Sequence, residues 1–310
     1  MTFKYHFGGV EIASEIPLIG LRPAREGGVH APTMRVMDGG GEAPAEEKLH
    51  FAWNGRFQMR LGEAGGRWLT GSPWGSFAFE RDASVVHIHG ADGPDNVILM
   101  DLFRRRLLPR LVKLRGGATY HAASLAQDDK GVLIMGPSGA GKSTMSVGLA
   151  ATEGWDILGD DMALIWNDGA ETISPAAADV TIWPQSCAGL QLPEEDCEPL
   201  LGYDGKRVYH PRRARRLDPV PLEGIFFLNR SPDCAAPVLE RRTRAEAFQR
   251  ALRQIIYFNP NGDAAEERIR SVTRLNTILG RVPAWTLTYP ASFDALHAVS
   301  NTLSAALRDG

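Results

Sequence analysis

The 310-residue sequence has few cysteines, no long apolar run and no excess of positive charge. Its three cysteines, Cys187, Cys197 and Cys234, are odd in number and lack the C-x-x-C spacing of metal sites, which predicts free thiols in a reducing compartment. No stretch approaches the roughly eighteen apolar residues that a membrane-spanning helix needs. The formal net charge of -3 argues against a dedicated nucleic-acid-binding protein, because such proteins are usually basic.

The first residues also lack a charged segment followed by a continuous apolar run, so we expect no secretory signal peptide. These absences predict a cytoplasmic protein with neither a membrane nor a nucleic acid as partner. Hydrophobic residues make up 44% and charged residues 23% of the chain, which is typical of a globular protein with a real core. The sequence leaves the oligomeric state open, including a homo-oligomer.

Residues 1–95 alternate between apolar and polar side chains over short runs, which predicts a small, mostly β N-terminal module. The strongest signal is Asn54-Gly55 between two alternating runs, which predicts a hairpin with a two-residue turn. His87 and His89 share one strand face, as two metal ligands would. Without a third ligand, partly exposed strand histidines are the favoured interpretation. The module is a candidate for substrate recognition.

Residues 96–114 change to helical spacing, with a kink or break expected at Pro109. The arginines of this stretch suggest either a phosphate or acidic-partner site or a solvated helix face. They are Arg104, Arg105, Arg106 and Arg110.

The centre of the chain carries a loop that fits the phosphate-binding pattern G-x-x-x-x-G-K-[ST] at every fixed position. An apolar run at 132–135 predicts a buried strand before the loop, and residues 144–151 predict a helix after it. In this geometry the backbone N–H groups and the helix N-terminus face a polyphosphate. Lys142 would reach the outer phosphates of ATP and Ser143 would ligate Mg²⁺. The matching flanks disfavour an ordinary Gly/Ser turn. The loop consists of Gly136, Pro137, Ser138, Gly139, Ala140, Gly141, Lys142, Ser143 and Thr144.

Two carboxylates, Asp160 and Asp161, follow a second apolar strand at 155–158. One can hold Mg²⁺ and the other can accept a proton from an attacking hydroxyl, since neighbouring side chains diverge on an extended chain. An Asp-rich surface turn is the alternative. His121, on a strand predicted over 118–126, is raised as a candidate because its strand could pair with the one that feeds the loop.

A basic segment in the C-terminal half supplies further candidates. Lys206 and Arg207 follow a glycine turn and could stabilise charge on a transferring phosphoryl group. Residues 212–216 suggest either a solvated basic loop or a holder for an acidic peptide. Trp183 could stack on a base, although a core tryptophan is the favoured interpretation.

Strands alternate with helices from residue 118 to the end, which predicts an α/β fold. Further strands are expected at 224–228 and 284–289, and helices at 244–257, 264–279 and 293–307. We therefore predict a mostly β module over 1–95 and a nucleotide-binding domain over 96–310.

His121, the loop and the Asp160-Asp161 pair together resemble the catalytic domain of bacterial HPr kinase/phosphorylase, a P-loop kinase of the phosphoenolpyruvate-carboxykinase-like group. The resemblance covers residues 115–170 well and runs on more loosely to the end of the chain. It implies that Asp160 is the general base toward a serine hydroxyl and that Asp161 lies near the metal with Ser143. It also implies that His121 lies near the phosphates, while Lys142 keeps its usual role.

The sequence departs from that family in three places. Thr144 follows the Lys-Ser pair where the family usually has Glu, the glycine-rich signature after the Asp pair is not recognisable, and residues 1–95 do not resemble the regulatory domain. These departures argue against HPr as substrate and against reverse phosphorolysis.

The chain looks more like stand-alone HPr-kinase-related enzymes, notably the lasso-peptide kinases. The stretch 7–18 also resembles the sequences of that subgroup. This resemblance implies an ATP- and Mg²⁺-dependent kinase for a serine on a peptide or small protein. The alternatives are an HPr-type protein kinase, a kinase for a small metabolite, and a regulatory ATPase with no phosphorylated product.

Overall fold

The computed structural model describes residues 2–24, 33–52, 60–90, 96–167, 169–176, 179–200, 205–212, 216, 218–258 and 265–309. The chain divides into two compact units, Met1–Gly117 with Tyr257–Ile269 and Ala118–Ile256 with Arg270–Gly310. This division differs from the boundary predicted at residue 95, because the helical stretch after that residue groups with the first unit. Among the described residues, no helix is both long and apolar enough to span a membrane.

The first unit contains a nine-stranded sheet in the order β3-β1-β2-β4-β9-β8-β7-β6-β5. Most neighbours are antiparallel, while β4 runs parallel to both β2 and β9. The strands are β1 (Phe3–Phe7), β2 (Val10–Ser14), β3 (Arg22–Pro23), β4 (Thr33–Gly40), β5 (Lys48–Ala52), β6 (Arg60–Ala64), β7 (Arg67–Ser72), β8 (Gly75–Phe79) and β9 (Val85–His89).

The predicted hairpin is present as an antiparallel pair of β5 and β6, but with a different register. Ala52 lies opposite Arg60, whereas a two-residue turn at Asn54-Gly55 would place it opposite Phe57. The turn residues themselves lie outside the described residues.

His87 and His89 lie on β9 with their rings stacked at a centroid distance of 6.4 Å. His89 is buried rather than partly exposed, because its ring fills the space beside Gly39, where a Cβ would come within 2.5 Å of it. Burial, followed by repulsion from His87, lowers the pKa of His89. Among the described residues, no group of three or more His, Cys, Asp or Glu side chains could hold a metal ion.

Residues 97–114 form three consecutive helical pieces: α1 (Val97–Leu102), a π-helical turn (Phe103–Leu107) and α2 (Leu108–Leu114). Asn96 begins the run, since its side chain accepts the N–H of Leu99 at 3.0 Å. The irregular part of this run is the π-helical turn, which comes before Pro109. Pro109 itself lies in the first turn of α2, where its missing N–H costs no helical bond.

The arginines of this run are not a fully solvated face. Arg104 and Arg105 both contact Asp101, at 2.9 and 2.6 Å. Arg110 donates to the carbonyl of Arg106, and burial lowers the pKa of Arg110 to about 10.

The second unit is built on a mixed sheet in the order β10-β14-β15-β19-β12-β11-β13, with β21 beside β19 and β20 beside β21. β12, β19 and β21 are parallel to one another, and the other pairs are antiparallel. The strands are β10 (Ala118–Tyr120), β11 (Ala122–Gln127), β12 (Lys130–Met135), β13 (Asp156–Gly159), β14 (Ala163–Asn167), β15 (Glu171–Ser174), β19 (Val220–Ser231), β20 (Val238–Arg241) and β21 (Ala284–Pro290). A separate small sheet has β18 (Arg207–Tyr209) between β16 (Val180–Ile182) and β17 (Cys197–Pro199).

Helices α3 (Lys142–Thr152) and α7 (Leu296–Asp309) pack on this sheet, and their apolar side chains join the strands in one buried cluster. Trp155, fully buried, ties the layers together because its Nε1 donates to Ser300 Oγ at 2.9 Å. The remaining helices are α4 (Pro184–Gly189), α5 (Arg244–Leu252) and α6 (Ala265–Leu279), with 3₁₀ turns at Glu194–Asp196 and Phe293–Ala295. The three cysteines are free thiols, and burial raises the pKa of Cys197 to about 12.

Two predicted elements are shorter than expected. The helix predicted to reach residue 257 ends at Leu252, because the chain then pairs Ile255 with Tyr120 and bonds the N–H of Ile256 to Thr119. The strand predicted over 118–126 breaks at His121, whose N–H donates to the Gln254 carbonyl at 2.7 Å instead of joining the ladder.

Candidate functional site

Three chain segments meet at one edge of the second unit's sheet, which we call the loop edge. β12 ends at Met135, directly before the loop that begins at Gly136. β11 runs the other way and begins opposite Met135, so His121 lies beside the start of the loop. β13 also pairs antiparallel with β11 and therefore points in the same direction as β12, which brings Asp160 to the same edge. The strand order therefore brings the end of β13, the start of β11 and the end of β12 to one edge.

The loop at 136–144 has the backbone conformation that its glycines allow. Gly139 has φ +80° and Gly141 has φ +94°, the left-handed region that other residues rarely adopt. Gly141 is the cap residue from which α3 begins, so the N-terminal end of that helix faces the loop. This arrangement fits a bound polyphosphate.

Tyr289, at the end of β21, holds this conformation from outside the motif. Its hydroxyl donates to the Ala140 carbonyl at 3.1 Å, and a Cβ at Gly141 would come within 3.0 Å of it. The tyrosine is distant in sequence and carries no motif, so sequence reasoning missed it. The only available signal was its position at the end of a predicted strand.

Lys142 is buried, and its ammonium folds back over the loop. Nζ donates to the carbonyls of Gly136 at 2.8 Å and Pro137 at 3.3 Å. Burial lowers the pKa of Lys142, and the charges of Asp161 and Asp160 act in the opposite direction. A phosphate oxygen bound by the loop would be a stronger, charged partner for the same ammonium.

Asp160 is the carboxylate beside the predicted metal ligand, because Ser143 Oγ donates to its Oδ2 at 3.0 Å. Its Oδ1 is shielded from solvent and has no hydrogen-bond partner among the described residues. Burial, followed by the neighbouring charge of Asp161, raises the pKa of Asp160 to about 7. The hydrogen bond from Ser143, a backbone hydrogen bond from Asp161 and, last, the charge of Lys206 oppose that rise.

Asp161 has a φ of +59°, in the left-handed region that residues other than glycine rarely adopt. The hydrogen bond of Ser143 is with Asp160, and Asp161 as the metal carboxylate stays a prediction. Mg²⁺ is commonly held by one or two carboxylates together with substrate phosphates, and the Ser143 hydroxyl and the Asp161 carboxylate are suitable oxygen donors. The shielded, unbonded Oδ1 of Asp160 would be satisfied by a hydrogen-bond donor such as an acceptor hydroxyl.

The basic candidates separate in the structure. The charge of Lys206 acts on Asp160, and its Nζ lies 5.3 Å from the centre of the Trp183 ring. Arg207 instead donates to the Cys197 carbonyl at 2.9 Å, which places its guanidinium in the small sheet.

Of the later basic residues, Arg212 pairs with Glu195 and Asp196, and Arg216 pairs with Asp129 and Asp156. Both arginines are therefore paired with acidic residues of the same chain. Residues 213–215 lie outside the described residues.

Trp183 is half exposed rather than a core residue, with 50% of its surface accessible. It stands at the junction of β16 and α4, directly before Pro184. Ser186, in α4, also reaches the loop, since its hydroxyl lies 2.8 Å from Thr144 Oγ1. Sequence pattern gives no sign of this contact.

A cavity of about 590 Å³ lies elsewhere, at the C-terminal end of α3. Its lining includes Thr152, Trp155 and Asp196. Since α3 begins at the loop and runs eleven residues, about 15 Å of helix separates the cavity from the phosphate site. The cavity is therefore separate from the loop edge.

Comparison with models of protein families gives no match for this chain, and comparison with curated proteins gives none either. Among solved structures, the chain is similar to the HPr(Ser) kinase/phosphatase from Coxiella burnetii, with 14% sequence identity and a TM-score of 0.32. That match covers 62% of this chain and 88% of the other. The strands and helices of the second unit themselves form a mixed α/β fold.

Proposed function

We propose that the protein is an ATP- and Mg²⁺-dependent kinase that phosphorylates a serine hydroxyl on a peptide or small protein. One observation carries this proposal. A carboxylate with a pKa near 7, Asp160, is hydrogen-bonded to the serine that follows the phosphate-loop lysine. A group that titrates near neutral pH can take a proton and release it again during turnover.

The loop and Lys142 would hold the phosphates of ATP. Backbone N–H groups between Gly136 and Ser143 and the start of α3 offer hydrogen bonds and positive potential. Ser143 and Asp161 would hold Mg²⁺, which would neutralise charge on the β- and γ-phosphates.

The transfer itself needs a base next to the acceptor. The serine oxygen forms a bond to the γ-phosphorus while the bond from phosphorus to the β–γ bridging oxygen breaks, and ADP leaves. The hydroxyl proton passes to a carboxylate oxygen of Asp160, with Asp161 as its acidic neighbour. Lys206 adds positive charge on the same side. His121 stays a candidate contact to the phosphates, because it lies beside the start of the loop.

Replacing Asp160 with Asn tests the role of this carboxylate. We expect Asp160→Asn to lower phosphoryl transfer by at least about 10²-fold, because the amide cannot accept the proton. Nucleotide binding should remain largely intact. The measurement is transfer of the terminal phosphate of labelled ATP to serine peptides, together with release of free phosphate.

Asp156→Asn is the matched control, since Asp156 begins the strand that ends directly before Asp160 and pairs with Arg216. Transfer by Asp160→Asn at the rate of the unaltered protein would contradict the role. Labelled free phosphate with no labelled acceptor would favour the regulatory ATPase.

A further inference from the structure

Trp183 and Lys206 form a pair near the loop edge, in which Trp183 is exposed and Lys206 is partly buried. The Lys206 ammonium lies over the indole ring, 5.3 Å from its centre, in a cation–π arrangement. The Trp183 carbonyl accepts the N–H groups of Ser186 and Cys187 at 2.9 and 3.2 Å, so the residue is anchored to the start of α4. Half of the Trp183 surface is accessible to solvent, so the residue offers an apolar surface next to the Lys206 ammonium.

Two contacts place this pair with respect to the chemistry. Ser186, three residues after Trp183, contacts Thr144 of the loop, which joins α4 to the phosphate site. Ser143, directly before Thr144, donates to Asp160 Oδ2 at 3.0 Å, so the start of α4 lies on the Asp160 side of the loop. The charge of Lys206 also opposes the rise in the pKa of Asp160.

The Asp160 side is where the terminal phosphate and the acceptor meet. The base of a nucleotide lies at the other end of its triphosphate, away from the transferred group. An aromatic ring next to Lys206 is thus placed for the acceptor and not for the nucleotide base.

We propose that Trp183 and Lys206 recognise the acceptor, and that this acceptor is a peptide whose serine is flanked by an apolar or aromatic side chain and by an acidic one. The indole packs on the apolar flank, and the ammonium attracts the acidic flank. This inference rests on the proposed kinase function. Half-exposure of the ring suits an extended peptide, because sites for small metabolites bury most of the ligand.

The experiment uses the full chain, labelled ATP and a set of peptides that each carry one serine between varied flanking residues. We expect the unaltered protein to prefer peptides with one apolar and one acidic flank. Trp183→Ala should lose the apolar preference and raise KM for the preferred peptide about tenfold, while KM for ATP changes less than about twofold. Trp183→Phe should recover most of the loss, because it restores an aromatic face.

Val238→Ala is the matched control, since Val238 is 58% exposed on β20 of the same unit. It should leave both KM values unchanged. An unchanged peptide preference in Trp183→Ala, or a rise in KM for ATP in place of the peptide, would overturn the inference while the kinase proposal stands. Absence of peptide labelling by the unaltered protein would overturn both, and it would show before any variant is made.

Discussion

Asp160 joins two properties in one side chain, since it is both the proposed proton acceptor and a carboxylate removed from water. Its two oxygens have different surroundings, because Oδ2 accepts from Ser143 and Oδ1 is shielded without a partner among the described residues. Burial raises its pKa to about 7, so protonation changes within the ordinary working range of pH.

The rate of transfer should follow that titration. A general base must be ionised, so kcat/KM for ATP should rise from pH 6 to pH 8 with an apparent pKa near 7. A pH series with labelled ATP and a serine peptide measures this. The residual activity of Asp160→Asn should lack the step, and an identical step in that variant would assign the titration to another group.

The same burial predicts an effect on stability. The folded-state pKa of Asp160 lies above its unfolded value, so the stabilising contribution of the protonated form is lost as pH rises through about 7. At pH 8 the native protein must keep an ionised carboxylate out of water. Asp160→Asn removes this cost and should raise Tm by about 2–8 °C at pH 8.

At pH 5 the gain should be much smaller, because Asp160 is then protonated in the native state. Thermal unfolding followed by circular dichroism at both pH values compares the two proteins. A gain as large at pH 5 as at pH 8 would show that the carboxylate charge is not its source.

At the scale of elements, the phosphate loop depends on a strand far from it in sequence. Tyr289 lies at the end of β21 and bonds the Ala140 carbonyl, 149 residues away. Burial raises the pKa of Tyr289, so its hydroxyl stays protonated and can donate at neutral pH.

Removing that hydroxyl should loosen the loop without disturbing the sheet. Tyr289→Phe loses one hydrogen bond of about 1 kcal/mol, and we expect Kd for ATP to rise about threefold to tenfold. Isothermal titration calorimetry measures the change. Asn229 of β19 donates a hydrogen bond to Thr288 of β21 and offers a control. Asn229→Ala should leave Kd for ATP unchanged.

Local patterns predicted the elements of the loop edge, but not their order in the sheet. The apolar run before the loop, the glycines and the following helix lie close in sequence, and the structure has β12 and α3 at the predicted places. The insertion of β11 between β12 and β13 depends on long-range pairing, which composition does not encode. The break at His121 likewise comes from Gln254, more than a hundred residues downstream.

At the scale of the whole molecule, the first unit includes a segment from late in the chain, Tyr257–Ile269. Phe258 packs edge-on against Trp68 and Phe79, with ring centroids 5.4 and 6.0 Å away. The boundary predicted at residue 95 could not anticipate this, because residues 97–114 have the helical spacing expected of an α/β domain and Phe258 follows a predicted helix.

Phe258 should therefore matter to the first unit. It is only 4% exposed, and Phe258→Ala should cost about 3–5 kcal/mol through lost burial and a cavity. We expect faster hydrogen exchange in the amides of β7 and β8, measured by mass spectrometry. Ile269→Ala is the control, since Ile269 is 65% exposed and belongs to the same unit. Equal exchange in the two variants would contradict this role.

The order of strands in the second sheet also determines how long β12 lacks one of its partner strands while the chain is being synthesised. β12 is closed on one side by β11 at once, through a tight connection at Asp128, but its other neighbour, β19, begins only at Val220. Ribosomes add about 5–20 residues per second, so the apolar edge at 132–135 waits on the order of 4–17 s for its partner. During that interval the nascent chain presents an unpaired strand edge to any neighbour, which is the state that holding chaperones recognise.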